Sequence, residues 1–221
     1  MNKKYEFVEG DEVTTPSGVT LKRIRALITI ADTVFMPAVN PGDLGGYIQS
    51  ENNLSEICNA WVYGDAQVSG NARVSGNAKV SGNAKVYGNA WVYGNARVAD
   101  DAWVYGDTQV YGDAQVSGNA RVADDTRVAD DARVADDGLI FWASKVGTEN
   151  GTLTVYNGKD DTLLVTRGCF LGSPTEFLEE SKRVHDARTH HEYKLLIKVA
   201  TSRIEAARAR LLEPVERQGG E

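Results

Sequence analysis

The sequence predicts a mainly β protein organised around a parallel β-solenoid, and three observations predict it. Thirteen valines recur at six-residue intervals from Val62 to Val134, with no insertion or deletion between them. The fifth position of each unit is Ala or Thr from Ala66 to Ala132, and the third and fourth positions are Gly-Asn, Gly-Asp or Asp-Asp. A strict internal repeat means one short unit stacked many times. The β-branched valine suits a buried strand site, and the small residue at position five gives a second inward site. Gly, Asn and Asp accept the left-handed backbone of a tight corner. Positions two and six vary among Tyr, Ser, Ala, Trp, Lys, Arg and Gln, as outward-facing sites do.

Three regions follow: an N-terminal cap over residues 1–55, the repeats over 56–137, and a C-terminal α+β domain over 138–221. In the cap, Tyr5-Glu6-Phe7-Val8 and the stretch Val19 to Ile24 alternate as a hairpin around Pro16-Ser17-Gly18. A cap is physically required, because an open coil end exposes unpaired strand edges and apolar valines. In the C-terminal domain, Leu139-Ile140-Phe141-Trp142, Leu153 to Tyr156 and Leu163 to Thr166 read as strands, the last two joined by a hairpin loop over Asn157 to Asp161. Ser173-Pro174-Thr175-Glu176 is a helix start, with a capping hydroxyl, Pro at the first helical position and Glu to close a capping box. This β-hairpin is followed by two helices, the first over about 174–188 with a break near Thr189 and the second running to Leu212, where Glu213-Pro214 stops it.

The units Val62-Tyr63-Gly64-Asp65-Ala66-Gln67 and Val74-Ser75-Gly76-Asn77-Ala78-Lys79 resemble the hexapeptide repeat of left-handed parallel β-helices. That family builds one triangular coil from three hexapeptides, and its left hand is an exception to the usual crossover rule. The resemblance implies a little over four coils and a prism about 20 Å tall. Gly42-Asp43-Leu44-Gly45-Gly46-Tyr47-Ile48 with Glu51-Asn52-Asn53-Leu54-Ser55 is similar to the N-terminal cap of hexapeptide-repeat proteins of bacteriophages, prophages and related bacterial transferases. The strand–strand–Arg-Gly-Cys-Phe–helix pattern also resembles a C-terminal domain of phage proteins without assigned activity. These resemblances imply a phage or prophage setting, and the family's trimers imply a homo-oligomer, dimer or trimer.

Composition narrows the classes. No apolar run approaches the eighteen residues of a membrane span, and Met1 to Glu6 is not followed by the apolar core of a signal peptide. Two cysteines, Cys58 and Cys169, require no bridge, so the expected setting is the cytoplasm of a bacterial host cell. The acidic charge is concentrated late in the repeats: between Asp100 and Asp137 ten aspartates face three arginines, as large an excess as the −7 of the whole chain. With no basic stripe to neutralise phosphates, direct nucleic-acid binding is not expected.

The resemblance brings enzymes with it, acyltransferases with a coil histidine as base and carbonic anhydrases with histidine-bound zinc. Yet the three histidines, His185, His190 and His191, all fall in the terminal helices, so the coils offer no such base. No catalytic residue, cofactor or metal is therefore expected. Cys169 with His185 remains a candidate nucleophile–base pair, set against an ordinary small buried thiol beside Phe170. Calcium between stacked carboxylates lacks the loop pattern of calcium solenoids.

The candidate sites are surfaces. Folded modulo eighteen, Tyr87 lies over Tyr105 and Tyr93 over Tyr111, with Trp91 and Trp103 on the same two sides. Such ladders stabilise a flank, and Tyr and Trp with scattered Arg also compose protein-binding surfaces. The second candidate is the acidic collar of Asp100, Asp101, Asp124, Asp125, Asp130, Asp131, Asp136 and Asp137, read either as corner chemistry with a solubility benefit or as a mimic of nucleic-acid charge. The third is the heptad seam Tyr193, Ile197, Ala200, Ile204, Ala207 and Leu211, which packs within the domain or drives self-association. The expected function is a non-enzymatic scaffold that binds a host or phage protein, for example an anti-defence inhibitor. The alternatives are an acyltransferase-like enzyme, a Cys-dependent hydrolase and a structural oligomer of the virion.

Overall fold

Two antiparallel strands, β1 (Tyr5–Thr14) and β2 (Thr20–Ala26), open the chain and turn where Pro16-Ser17-Gly18 interrupts the alternation. The computed structural model describes residues 3–31 and 37–213; Met1, Asn2 and the helix-stopping Pro214 lie outside them. β3 (Leu44–Ile48) pairs antiparallel with β2 on one side. On its other side it pairs parallel with a strand of the repeats, Tyr47 against Gln67 and Ile48 against Val68. The cap is thus an extension of a solenoid sheet, not a plug laid across it.

Each hexapeptide forms one side of the coil. Position six and the valine after it make a two-residue strand, and thirteen such strands run from β4 (Trp61–Val62) to β16 (Arg133–Val134). They sort into three parallel sheets. On one side Val62 faces Val80, Val80 faces Val98, Val98 faces Val116 and Val116 faces Val134. A strand this short has no stability alone; its backbone groups bond to the coils on either side, as in Gln67 N to Ala84 O at 2.9 Å and Ser69 N to Val86 O at 3.0 Å. The interior is a ladder of valines and alanines with almost no exposure. Where Thr replaces Ala, Thr108 donates its hydroxyl to Tyr105 O at 2.7 Å and lies 3.3 Å from the Thr126 hydroxyl, which satisfies a polar group inside the core.

The corners show why position three is restricted. Gly88 has φ +75°, and a Cβ there would stand 2.9 Å from the Gly106 nitrogen of the next coil. Asp100, Asp124 and Asp130 hold the same corner at φ 59°, 62° and 57°. Asp is one of the few side chains that tolerates this region.

The solenoid begins earlier than the boundary expected at residue 55. Ile48 pairs with Val68 and Leu54 bridges to Val74, so Ile48 and Leu54 are the inward residues of two earlier sides. Two extra residues between Leu54 and Trp61 push the next side to Val62 and hide the period. The stack therefore reaches about five coils. Buried here are Lys4 and Lys79, 1% and 3% exposed. Lys4 Nζ donates to Ser55 O and Ala60 O, and Lys79 Nζ to Asn59 O at 2.6 Å.

After the repeats, β17 (Ile140–Val146), β18 (Gly151–Asn157), β19 (Leu163–Arg167) and β20 (Phe170–Gly172) form a four-stranded antiparallel sheet, one strand more than the three read from the sequence. The extra strand arises because Gly168, at φ +59°, turns the chain at Gly168-Cys169 and returns Phe170 against Arg167. Helix α1 (Pro174–Val184) starts at Ser173, whose hydroxyl and the Glu176 carboxylate complete the expected capping box. Helix α2 (Ala187–Leu212) begins at Asp186, so the break falls at His185-Asp186 and not near Thr189. Asp186 accepts from Thr189 N at 2.7 Å, which makes Thr189 the third residue of the new helix. The sheet and α2 close the end of the solenoid: Asn157 donates to Arg133 O at 3.1 Å and Thr166 to Arg127 O at 2.7 Å.

Two outcomes are expected. Val98→Ala, in the middle of the stack, lowers the unfolding free energy by roughly 2 kcal/mol in urea titrations, because the coils above and below hold the cavity open. The second concerns pH. Burial pushes the Lys4 and Lys79 ammonium groups down to about 8, against 10.5 for the ordinary lysine. Between about pH 8 and 10 the unfolded chain then binds more protons than the folded one, and these groups make stability rise with pH. Burial raises the Tyr5, Tyr63 and Tyr156 phenols, Tyr63 to about 12, against an ordinary 10.0. Their contribution is lost above about pH 10, so urea midpoints pass through a maximum near there.

Candidate protein-binding surface

The outward positions of one solenoid side form a continuous strip. Lys85, Trp103 and Arg121 follow one another in register along paired strands. Lys85 Nζ lies 4.9 Å and the Arg121 guanidinium 5.2 Å from the Trp103 ring, so the indole is held between two cations. Beside it, at the corner, Tyr87 and Tyr105 stack with centroids 5.0 Å apart and planes 2° from parallel, and Tyr87 meets Trp103 edge-on at 6.3 Å. Burial raises the Tyr87 phenol, and its neighbour Tyr105 adds to the effect. The Tyr87 phenol is therefore neutral at physiological pH.

A second ladder lies on the neighbouring side. Tyr93 and Tyr111 stack at 5.0 Å, and Trp91, 43% exposed, leans on Tyr93 at 4.6 Å while its Nε1 donates to Ser75 Oγ at 3.1 Å. The modulo-eighteen arithmetic places both ladders as the structure does.

The first strip continues off the solenoid. Tyr105 and Arg121 line a groove of about 440 Å³ with Asp137, Ile140, Phe141, Trp142 and Arg203. Trp142 Nε1 donates to Asp124 Oδ2 at 2.7 Å and Arg121 N to Asp137 Oδ1 at 2.5 Å, which fixes the walls. Sequence reasoning missed Phe141, Trp142 and Arg203, because they reach the strip only when the C-terminal domain docks.

Much of the acidic collar is engaged in the stack. At position four the amides form columns: Asn71 donates to Asn89 at 3.0 Å and Asn89 to Asp107 at 2.7 Å, while Asn77 donates to Asn95 at 3.1 Å and Asn95 to Asp113 at 3.0 Å. Asn83 likewise donates to Asp101 at 3.0 Å. A carboxylate suits the receiving end of such a column because it accepts without needing to donate. Asp100 accepts from Gly118 N at 3.0 Å, and Asp136 accepts from Gly138 N at 2.8 Å and faces Arg210 at 3.6 Å. Asp131 lies 3.9 Å from Arg133, and Asp125 lines a small polar pocket with Arg127 and Arg167. Asp124, Asp125, Asp130, Asp131 and Asp137 keep exposed surface.

The helical seam is not on the surface. Tyr193, Ile197, Ala200, Ile204 and Ala207 are at most 5% exposed, packed under the chain's own sheet and first helix, and only Leu211 is open at 55%. Tyr193 shows how closely, with the Phe177 ring 5.1 Å away and Arg167 Nε donating to its hydroxyl at 3.2 Å. Self-association through this seam is thereby excluded, since its surface is already used.

Cys169 corrects another expectation: the thiol is exposed in the turn before Phe170, not buried. Its groove is lined by Phe170, Leu171, Glu176, Glu179, Glu180 and Arg183, with no histidine among them. His185 packs on Tyr193 at 5.5 Å, and His190 Nδ1 lies 3.3 Å from Ser181 Oγ. Among the described residues no group of three or more His, Cys, Asp or Glu could hold a metal, and no helix is long and apolar enough to cross a membrane.

The family model described as YdcK Beta solenoid repeat matches residues 66–81, 78–94, 90–106 and 114–130. Comparison with curated proteins gives no match. The repeats, the three parallel sheets and this similarity together define a β-solenoid repeat protein, with a C-terminal sheet and two helices.

The amide columns predict a graded response. Asn95→Ala, which breaks a column, costs roughly 1 kcal/mol in urea unfolding, whereas Asp113→Asn at its receiving end changes stability by less than about 0.5 kcal/mol.

Proposed function

We propose that the chain is a non-enzymatic protein-binding scaffold and that its contact surface is the aromatic–cationic strip. The observation that carries this reading is the continuity of Lys85, Trp103 and Arg121 with Tyr87, Tyr105 and the groove of Phe141, Trp142 and Arg203. Preordered aromatic rings and arginines lose little side-chain freedom on contact and are the residues that dominate interface energies. In a chain of net charge −7 these three cations also select for a partner segment that carries carboxylates. The acidic collar is the weaker candidate, because so many of its oxygens already accept hydrogen bonds within the stack.

The proposal extends to setting. The cap and C-terminal motifs favour a phage- or prophage-type protein, related to the hexapeptide-repeat transferases in scaffold and acting in the bacterial cytoplasm. Inhibition of a host defence protein is the concrete role proposed for it.

Capture from bacterial lysate tests this, with wild type, Trp103→Ala/Arg121→Glu and Asp130→Asn/Asp131→Asn as parallel baits. The expected partner is held by wild type and the Asp variant and lost from the Trp103 variant. Calorimetry on the purified pair then shows at least about thirtyfold weaker binding for Trp103→Ala. A partner lost only with the aspartates, or acyl-CoA turnover by the wild-type chain, would overturn the reading.

A further inference from the structure

Helix α2 has two apolar faces. The buried seam occupies one. On the opposite side, Leu195, Val199, Ser202, Ala206 and Ala209 repeat at spacings of four, three, four and three, and all five are exposed, Leu195 at 52% and Val199 at 48%. At about 100° per residue these five fall within roughly 40° of a common line that lies opposite Ile204. An amphipathic surface helix needs only one such stripe, so the second is unexplained by the fold of a single chain.

The flanks of this stripe specify what covers it. Lys198 and Glu205 lie along one edge, both exposed, and neither has an ion pair or hydrogen bond among the described residues. Along the other edge lie Glu192 and Arg210, which are engaged within the chain: Glu192 accepts from Gly147 N at 3.3 Å and Arg210 lies 3.6 Å from Asp136. When two copies of the helix run antiparallel, like edges meet. With the two-fold axis near residue 201, Lys198 meets Glu205 of the second copy. In the same register Leu195 sits opposite Ala206 and Val199 opposite Ser202, so each large side chain faces a small one. The parallel arrangement lacks this match: unlike edges meet, Lys198 approaches Arg203, and Ser202 faces Ser202 across an underfilled layer.

We infer that a second copy of this chain docks antiparallel on α2 through Leu195, Val199, Ser202, Ala206 and Ala209, with Lys198 and Glu205 paired across the interface. Lys85, Trp103 and Arg121 lie on the solenoid and not on α2, so two docked copies make a partner contact through them bivalent.

Sedimentation over a concentration series measures the association. The full chain forms a dimer. Lys198→Glu or Glu205→Lys alone replaces two attractive pairs with two repulsive ones and weakens it about tenfold, while the double variant Lys198→Glu/Glu205→Lys restores it. Both positions are exposed, and circular dichroism confirms that each variant keeps its helices. In a Cys58→Ser/Cys169→Ser background, Ser202→Cys cross-links two chains through a disulfide on oxidation, and Ala209→Cys does not. A monomer at every concentration, including one whose stripe is covered by residues 214–221, overturns the inference. So does equal cross-linking at both positions, which means a parallel pair, or a double variant that fails to recover association. Neither result bears on the solenoid strip, whose binding is read separately with Trp103→Ala.

Discussion

Parallel pairing between coils is the constraint on which everything else in this molecule depends. A strand of two residues makes hydrogen bonds only if another strand lies above and below it in the same register, so each coil is stable only as part of the stack. The register holds as long as every corner makes the same turn with the same number of residues. Position three therefore needs a left-handed residue at the corners from Gly64 to Asp130, and position five needs a side chain no larger than Thr. The interior valines contribute burial, but the corners decide that the burial is repeated in line.

The same constraint organises the outside. Residues one coil apart are held at the sheet spacing, so identical side chains stack face to face, as Tyr87 does on Tyr105 and Tyr93 on Tyr111. Polar side chains obey the same rule in a different chemistry, with each Asn amide donating to the next carbonyl until a column meets an Asp. The aspartates that look like one acidic belt are thus partly the ends of amide columns and partly left-handed corners. What the stack leaves unused is the aromatic–cationic strip, which is why the binding proposal rests there.

The two ends of the stack are finished differently. At the start, the hairpin β1–β2 extends one solenoid sheet edge-on, and Ile48 and Leu54 already serve as inward residues before the valine period begins. At the far end, a separate antiparallel sheet with α2 behind it donates side chains to the last coil's carbonyls. Near the start, Lys4 and Lys79 are buried with their ammonium groups on the Ser55, Ala60 and Asn59 carbonyls, and at the far end Trp142 and Asp124 join the last coil to the C-terminal sheet.

The solenoid and its ladders were legible in the sequence because each unit carries its own instructions: a valine, a small residue and a left-handed corner, all within six positions. Counting by eighteen was enough to stack the tyrosines. The start of the first coil was not legible, since Ile48 and Leu54 replace valine and two added residues break the count. Nor was the groove beside Tyr105, whose Phe141, Trp142 and Arg203 come from a strand and a helix that meet the solenoid only after docking. On α2 the sequence determined that apolar residues recur at heptad spacing. Periodicity alone could not say that the Tyr193 face lies on the chain's own sheet while the Leu195 face points to solvent. That choice belongs to the tertiary structure, because the sheet, held by Asn157 and Thr166 on the last coil, presents only one side for the helix to cover.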